Sequence, residues 1–75
     1  MRLPKMMLLR RAYLPQPMTT AATADLLAAR DRCARCYHSR LCDEVLASGR
    51  SEGYGLFCPN THYIEHLRGN ALRFS

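Results

Sequence analysis

The sequence predicts a small all-α domain that is stapled by a metal and preceded by a basic N-terminal arm. Three observations lead to this prediction. The chain has only 75 residues, four cysteines lie in its middle, and its apolar residues recur at helical spacing. A core of this size rarely contributes more than about 3–5 kcal/mol, so chains this short commonly need a staple. We therefore expect about three short helices arranged around the cysteines.

Residues 1–19 are predicted to form a flexible or extended arm, and residues 20–75 form the cysteine-bearing domain. The net charge is +5 at pH 7, and no acidic residue precedes Asp25. Three prolines in the first segment argue against a helix there. Such an arm can contact phosphate groups or an acidic partner. Its cations are Arg2, Lys5, Arg10 and Arg11.

The N-terminus does not have the pattern of a secretory signal. Its apolar run, residues 6–9, is shorter than the about 7–15 residues that such a signal needs. We therefore expect a cytoplasmic protein with reduced thiols and no membrane partner. An arginine-rich start without acids also fits an organellar presequence, which is the alternative location. Met18 is an alternative to Met1 as the natural start.

The first helix is predicted from about Thr23 to Arg32, because Thr23 can cap it and Ala, Leu and Arg are strong helix formers. The second helix is predicted over about Arg40 to Ser48. Ser39 is its expected cap, and Gly49 stands where a left-handed residue ends many helices.

The third helix follows a glycine-bearing loop and a short extended piece at Leu56–Cys58. Asn60 or Thr61 is the expected cap, and Gly69-Asn70 is a point where the helix ends or kinks. Its apolar residues at helical spacing are Ile64, Leu67, Ala71 and Phe74.

The cysteines have the spacing C-x2-C-x5-C-x15-C-P, formed by Cys33, Cys36, Cys42 and Cys58. Structural zinc sites usually combine two short-range pairs, and this chain has one. A [4Fe–4S] cluster often takes three thiolates from one loop and a remote fourth that precedes proline, which this spacing fits better. One Zn²⁺ is the alternative. His62 stands three residues beyond Cys58-Pro59 in a C-x3-H arrangement, so it is an alternative ligand for zinc.

The stretch CARCYHSRLCDEVL resembles the iron–sulfur loop of endonuclease III-type DNA glycosylases and, over more of the chain, that of the WhiB-like transcriptional regulators. The resemblance covers about half of the chain. It implies a [4Fe–4S] cluster held in part by Cys33, Cys36 and Cys42, and a role in transcription through DNA and the polymerase. Those families place the fourth cysteine upstream of the loop, where this chain has none.

We interpret the chain as a small metal-binding regulator of nucleic acid or of the transcription machinery. The alternative is a protein-binding adaptor or inhibitor, of phage type or as an assembly subunit, with a structural zinc site. An enzyme is not expected, because a pair such as Cys42 and His38 lacks a supporting carboxylate and a cleft, and no small-molecule substrate is expected. The residues expected to contact nucleic acid or a partner are Arg2, Lys5, Arg10, Arg11, Arg35, Arg40, Arg68 and Arg73.

Overall fold

The computed structural model describes residues 2–73, with side chains up to residue 69. Over these residues the chain is helical, with no strand, so the all-α prediction is confirmed. A 3-10 turn at Tyr54–Leu56 lies between the last two helices. The α-helices of the described residues are α1 (Arg2–Leu9), α2 (Thr20–Ala34), α3 (Ser39–Ser48) and α4 (Thr61–Arg73).

The prediction of a flexible arm over residues 1–19 is wrong where α1 forms. Helix α1 packs against α2 and α3. It buries Leu3, Met6 and Met7, with Met6 only 2% exposed. These residues share one face of a helix, so the segment gains its order from apolar burial rather than from local propensity. Helix α1 is therefore part of the core.

The proline near its start does not prevent α1, because Pro4 is the third residue of the helix. The first turn has no intrahelical acceptors for its N–H groups, so a missing donor costs little there. The helix stops at Arg11, which has a left-handed φ of 58°. The Arg11 N–H donates to the Leu8 carbonyl, and the Ala12 N–H donates to the Met7 carbonyl. This is a Schellman motif with arginine in the place that usually holds glycine.

Helix α2 begins earlier and ends later than predicted. The hydroxyl oxygen of Thr19 accepts a hydrogen bond from the Ala22 N–H (3.0 Å), so Thr19 is the cap. The expected cap, Thr23, lies inside the helix and donates its own hydroxyl hydrogen to the Thr19 carbonyl. Two threonines in one turn compete for this role, and the first one fills it.

Helix α3 agrees with its prediction at the C-terminal end. Gly49 has a φ of 73° and donates its N–H to the Val45 carbonyl, as a left-handed cap does. At the other end the cap position belongs to His38, whose side chain makes no capping hydrogen bond, and Ser39 is the first helical residue.

Helix α4 continues through Gly69-Asn70 to Arg73, so the predicted early end is wrong. The expected extended piece at Leu56–Cys58 is also wrong in part, because Leu56 closes the 3-10 turn. Ile64 and Leu67 lie in the core as their spacing predicts. The predicted apolar position Phe74 lies outside the described residues.

Asn60 is a buried polar residue (2% exposed) at the start of α4. Its side-chain amide donates to the Ala29 carbonyl in α2 (2.8 Å), and its side-chain oxygen accepts from Arg32 Nε (2.7 Å). The side chain expected to cap α4 instead ties the start of that helix to α2. Both polar ends of Asn60 are satisfied, which offsets the cost of burying it.

A polar network joins the end of α1 to α4. Arg10 forms two hydrogen bonds with the Glu65 carboxylate, at 2.9 and 3.3 Å, and its guanidinium lies over the Tyr54 ring at 5.0 Å. The Tyr54 hydroxyl donates to the same carboxylate at 2.7 Å. Arg10 also donates to the Ser51 hydroxyl. The network therefore connects α1, α4 and the loop that precedes α4.

The network also shifts the titration of its members. Hydrogen bonding from Arg10 holds the pKa of Glu65 below its ordinary value, and the Tyr54 hydroxyl adds to this effect. Burial raises the pKa of Tyr54, and its hydrogen bond to the carboxylate raises it further. The carboxylate is thus the charged member that both partners stabilise.

No helix of the described residues is long and apolar enough to span a lipid bilayer.

Replacement of Arg10 by alanine should destabilise the protein by about 1–2 kcal/mol, because it removes charge-assisted hydrogen bonds from a partly exposed carboxylate. Arg11→Ala is the matched control. It removes the same charge one residue further on and should change the stability by less than about 0.5 kcal/mol. Urea unfolding followed by circular dichroism measures both. Equal stability of the two variants would contradict the role of Arg10.

Glu65→Gln should make the protein less stable at neutral pH, and its difference from the native protein should shrink in acid. The folded-state pKa of Glu65 lies below 4.5, so its contribution is fully present above that pH and is lost as the pH falls through the lowered value. Unfolding free energies of both proteins should be measured from neutral pH down to about pH 3. A difference that is independent of pH would show that the ionised carboxylate contributes nothing.

Candidate metal centre

The structure brings the four predicted cysteines to one place. Cys33 lies in the last turn of α2, Cys36 in the following loop, Cys42 in the first turn of α3, and Cys58 shortly before α4. All four line a single cavity of about 20 Å³. The apolar walls of this cavity include Leu3, Met6, Phe57 and Ile64. The site is therefore enclosed by residues from both ends of the chain.

The thiols are free, and Cys42 is the buried one of the four, while the others are half-buried. Within residues 2–73, no three His, Cys, Asp or Glu side chains are grouped closely enough to hold a metal ion as they stand. The cysteines therefore share a cavity without yet forming a coordination shell.

Burial raises the pKa of Cys42, and the neighbouring Cys33 and Cys58 raise it further. Burial likewise raises the pKa of Cys58 most strongly, and Cys36 and Cys33 add to the shift. The position of Cys42 in the first turn of α3 favours a thiolate, but desolvation has the larger effect. The other cysteines raise the pKa of Cys42 and Cys58 because neighbouring thiolates would repel each other. A cation placed among them would remove that repulsion.

A backbone hydrogen bond supports one of the thiols. The N–H of His38 donates to the Cys36 sulfur at 3.4 Å, inside the short loop that follows the C-x2-C pair. Hydrogen bonds to a ligating sulfur orient it and stabilise its thiolate form. The imidazole of His38 contacts Phe57 with the ring centroids 6.2 Å apart. The loop is thus held against the wall of the cysteine cavity.

Arg2 also lines the cysteine cavity. Its guanidinium forms two hydrogen bonds with the Asp43 carboxylate, at 2.8 and 3.1 Å. That carboxylate raises the pKa of Arg2 most, and Cys42 and Cys33 contribute in the same direction. The Arg2–Asp43 pair is exposed and adds little stability by itself. Its position, however, places a positive charge beside the thiols.

The alternative zinc ligand, His62, is not part of this site. It is exposed and lines a separate groove with His66 and Tyr63, which shares Pro59 with the cysteine cavity but none of the cysteines. His62 is the second residue of α4, and it does not line the cysteine cavity. The structure therefore does not support the Cys3His arrangement.

Half of the basic residues that are predicted to contact a partner form ion pairs within the protein. Their ion pairs are Arg2 with Asp43, Arg10 with Glu65, Arg35 with Asp31, and Arg68 with Glu65. Lys5, Arg11 and Arg40 are exposed and make no ion pair within the described residues. The side chain of Arg73 lies outside the described part of the chain. Charge alone therefore overstates the available basic surface.

Sequence reasoning missed Tyr37, which is 98% exposed between Cys36 and His38. It is not part of the core. Arg35 precedes it in the same loop, and Arg40 follows it at the start of α3. An aromatic residue between arginines in a cysteine-anchored loop was the available signal. Such a side chain offers a flat apolar face next to positive charge, which is how single-stranded nucleic acids are bound.

The chain matches no known family model, and it resembles no curated protein or solved structure closely enough to count as a relative.

Proposed function

We propose that this protein is a small non-enzymatic regulator, stapled by a metal at Cys33, Cys36, Cys42 and Cys58, that binds single-stranded nucleic acid through the loop between α2 and α3. The observation that carries the proposal is the meeting of all four cysteines at one cavity. Three of these cysteines flank or begin the same loop that presents Tyr37. A metal there would fix the loop and its exposed side chains together.

Two observations bear on the metal and point in different directions. The cavity measures about 20 Å³, which suits a single ion and is too small for a cube of four irons and four sulfides. The sequence spacing, with three cysteines close together and a remote fourth before Pro59, suits the larger cluster. We give the volume more weight, because thiols reorient by side-chain rotation, whereas a cluster would displace core residues. We therefore propose one Zn²⁺ and keep the [4Fe–4S] cluster, and with it the resemblance to the WhiB-like regulators, as a prediction.

The metal would act as a staple between three helices. Cys33 belongs to α2, Cys42 belongs to α3, and Cys58 leads into α4. Metal binding to such a set contributes directly to folding, because the ligands are far apart in the unfolded chain. A reducing compartment such as the cytosol keeps thiols available for this role.

The loop between α2 and α3 supports binding of nucleic acid. Tyr37 can stack on a base, and Arg40 can contact a phosphate, since it is exposed and makes no ion pair within the described residues. Arg35 pairs with Asp31 at 3.3 Å, but both groups are exposed and such a pair is weak. The arginine can therefore exchange its partner for a phosphate.

A second candidate function, a protein-binding adaptor with a structural metal, is favoured by the internal pairing of Arg2, Arg10, Arg35 and Arg68. This pairing reduces the charge available for phosphates. Binding assays with oligonucleotides separate the two functions.

Elemental analysis of anaerobically purified protein should find one zinc per chain. Cys36→Ser should lose the zinc and much of the thermal stability, because the metal supplies folding free energy. His62→Ala is the control, and it should keep both the zinc and the thermal stability of the native protein. A brown protein that contains iron and sulfide would show instead that the same cysteines bind a [4Fe–4S] cluster. Metal-free native protein, or a Cys36→Ser variant of unchanged stability, would contradict the metal staple.

Native protein should bind fluorescent single-stranded DNA or RNA oligonucleotides, with an affinity that falls as salt increases. Tyr37→Ala should weaken binding by about 5- to 150-fold, since stacking of one base contributes about 1–3 kcal/mol. Tyr13→Ala, on another surface, is its control. Arg40→Ala should reduce the salt dependence of oligonucleotide binding, and Arg50→Ala should leave it unchanged. Absence of binding at low salt, or full affinity of Tyr37→Ala, would favour the adaptor.

A further inference from the structure

Helices α1 and α2 form an apolar groove that shares Leu3, but no cysteine, with the lining of the cysteine cavity. Its volume is about 670 Å³, in the range of about 300–1,000 Å³ that is typical of pockets for ligand-sized groups. The segment after α1 closes one end of the groove. The apolar residues that line it include Leu3, Pro4, Met7, Leu8, Tyr13 and Leu26. Only some of these side chains are buried in the core.

Large apolar side chains remain exposed along this face. Leu8 is 69% exposed, and Tyr13 is 56% exposed. A second groove of about 500 Å³ shares Leu3 and Arg30 with the first and extends the face to Leu27, which is 55% exposed. The two grooves therefore form one continuous apolar surface, which we call the α1–α2 face. Such surfaces on small proteins mark interaction sites.

Arg30 lies where the two grooves meet. It is exposed and makes neither an ion pair nor a side-chain hydrogen bond with the described residues. No acidic residue lines the larger groove, and Asp31, which lines the smaller one, pairs with Arg35. Arg2 also lines the smaller groove but pairs with Asp43. The α1–α2 face is therefore largely apolar, with the unpaired charge of Arg30 shared by its two grooves. Its electrostatic complement is an acidic partner.

We propose that the α1–α2 face binds an amphipathic helix of a partner protein, with leucine-like side chains in the grooves and carboxylates on Arg30. Methionine and tyrosine beside an arginine match the residue types that are enriched at interface centres. Helices bind such grooves through residues at i, i+3, i+4 and i+7. A second copy of the chain fits less well, because each copy carries a net charge of +5.

The face is separate from the loop proposed to bind nucleic acid. Tyr37 lines a different groove with His38 and Phe57, and none of these residues lines the α1–α2 face. Asp31 lines both the smaller groove of the face and the groove of Tyr37, but Tyr37 itself does not line the face. The docking site therefore goes beyond the proposed function, and loss of nucleic-acid binding in Tyr37→Ala can be measured separately from peptide binding.

The test uses the full chain and a synthetic fluorescent helical peptide that carries leucines at i, i+3 and i+7 and glutamates beside them. A matched peptide has glutamine in place of each glutamate. Fluorescence anisotropy should show that the acidic peptide binds at least about 10-fold more tightly, because a charge pair at an apolar interface contributes affinity. NMR shift changes should map to α1 and α2.

Arg30→Glu should lower the affinity for the acidic peptide by at least about 10-fold and should favour a lysine-bearing version of it. Arg50→Glu is the matched control, since it changes the net charge equally, lines neither groove, and should leave the affinity unchanged. Leu8→Asp should abolish binding of every peptide. Leu8 is largely exposed, so this variant should keep the circular dichroism spectrum of the native protein.

Four outcomes would overturn the proposal. Equal affinity for the acidic and glutamine peptides, or equal losses in Arg30→Glu and Arg50→Glu, would remove the specific role of Arg30. Self-association in sedimentation that Leu8→Asp abolishes would identify a second copy as the occupant. Competition between an oligonucleotide and the peptide would place nucleic acid on this face instead.

Discussion

The packing of α1 over the rest of the chain is the interaction on which the other features depend. Leu3 and Met6 fill the core, and the same two side chains form walls of the cysteine cavity. Without them Cys42 and Ile64 would face water, and the cavity would be open on one side. The burial of α1 therefore determines both the stability of the domain and the environment in which its thiols act.

Polar contacts add specificity to this apolar packing at the points where burial alone would leave the helices free to slide. Arg10 joins the end of α1 to Glu65 in α4, and Asn60 joins the start of α4 to the Ala29 carbonyl in α2. Each contact satisfies polar groups that burial would otherwise penalise. The cysteine cavity is lined by Asn60, which makes the second of these connections. A metal at that point would add a third connection between the same helices, in a chain with few large aromatic residues.

The sequence contained enough information for α3, α4 and the meeting of the cysteines, because these features follow local rules of capping, periodicity and spacing. It did not reveal α1. The partners of Arg2 and Arg10 lie 41 and 55 residues away along the chain, so the N-terminal charges looked unopposed. The end of α1 was not predictable either, because Arg11 occupies the left-handed position that glycine usually takes after a helix. Local patterns do not capture long-range pairing, nor the position of His62 outside the cysteine cavity.

Leu3 links the proposed sites physically, since it lines the cysteine cavity and both grooves of the α1–α2 face. Any change in the position of α1 therefore alters the metal site and the docking surface together. If a metal holds α1 in place by ordering the cavity against which Leu3 packs, it favours the arrangement of grooves that a partner helix needs. Coupling of this kind is reciprocal, so a bound helix would strengthen metal retention by the same free energy. In so small a domain, one shared core residue is enough to make two sites interdependent.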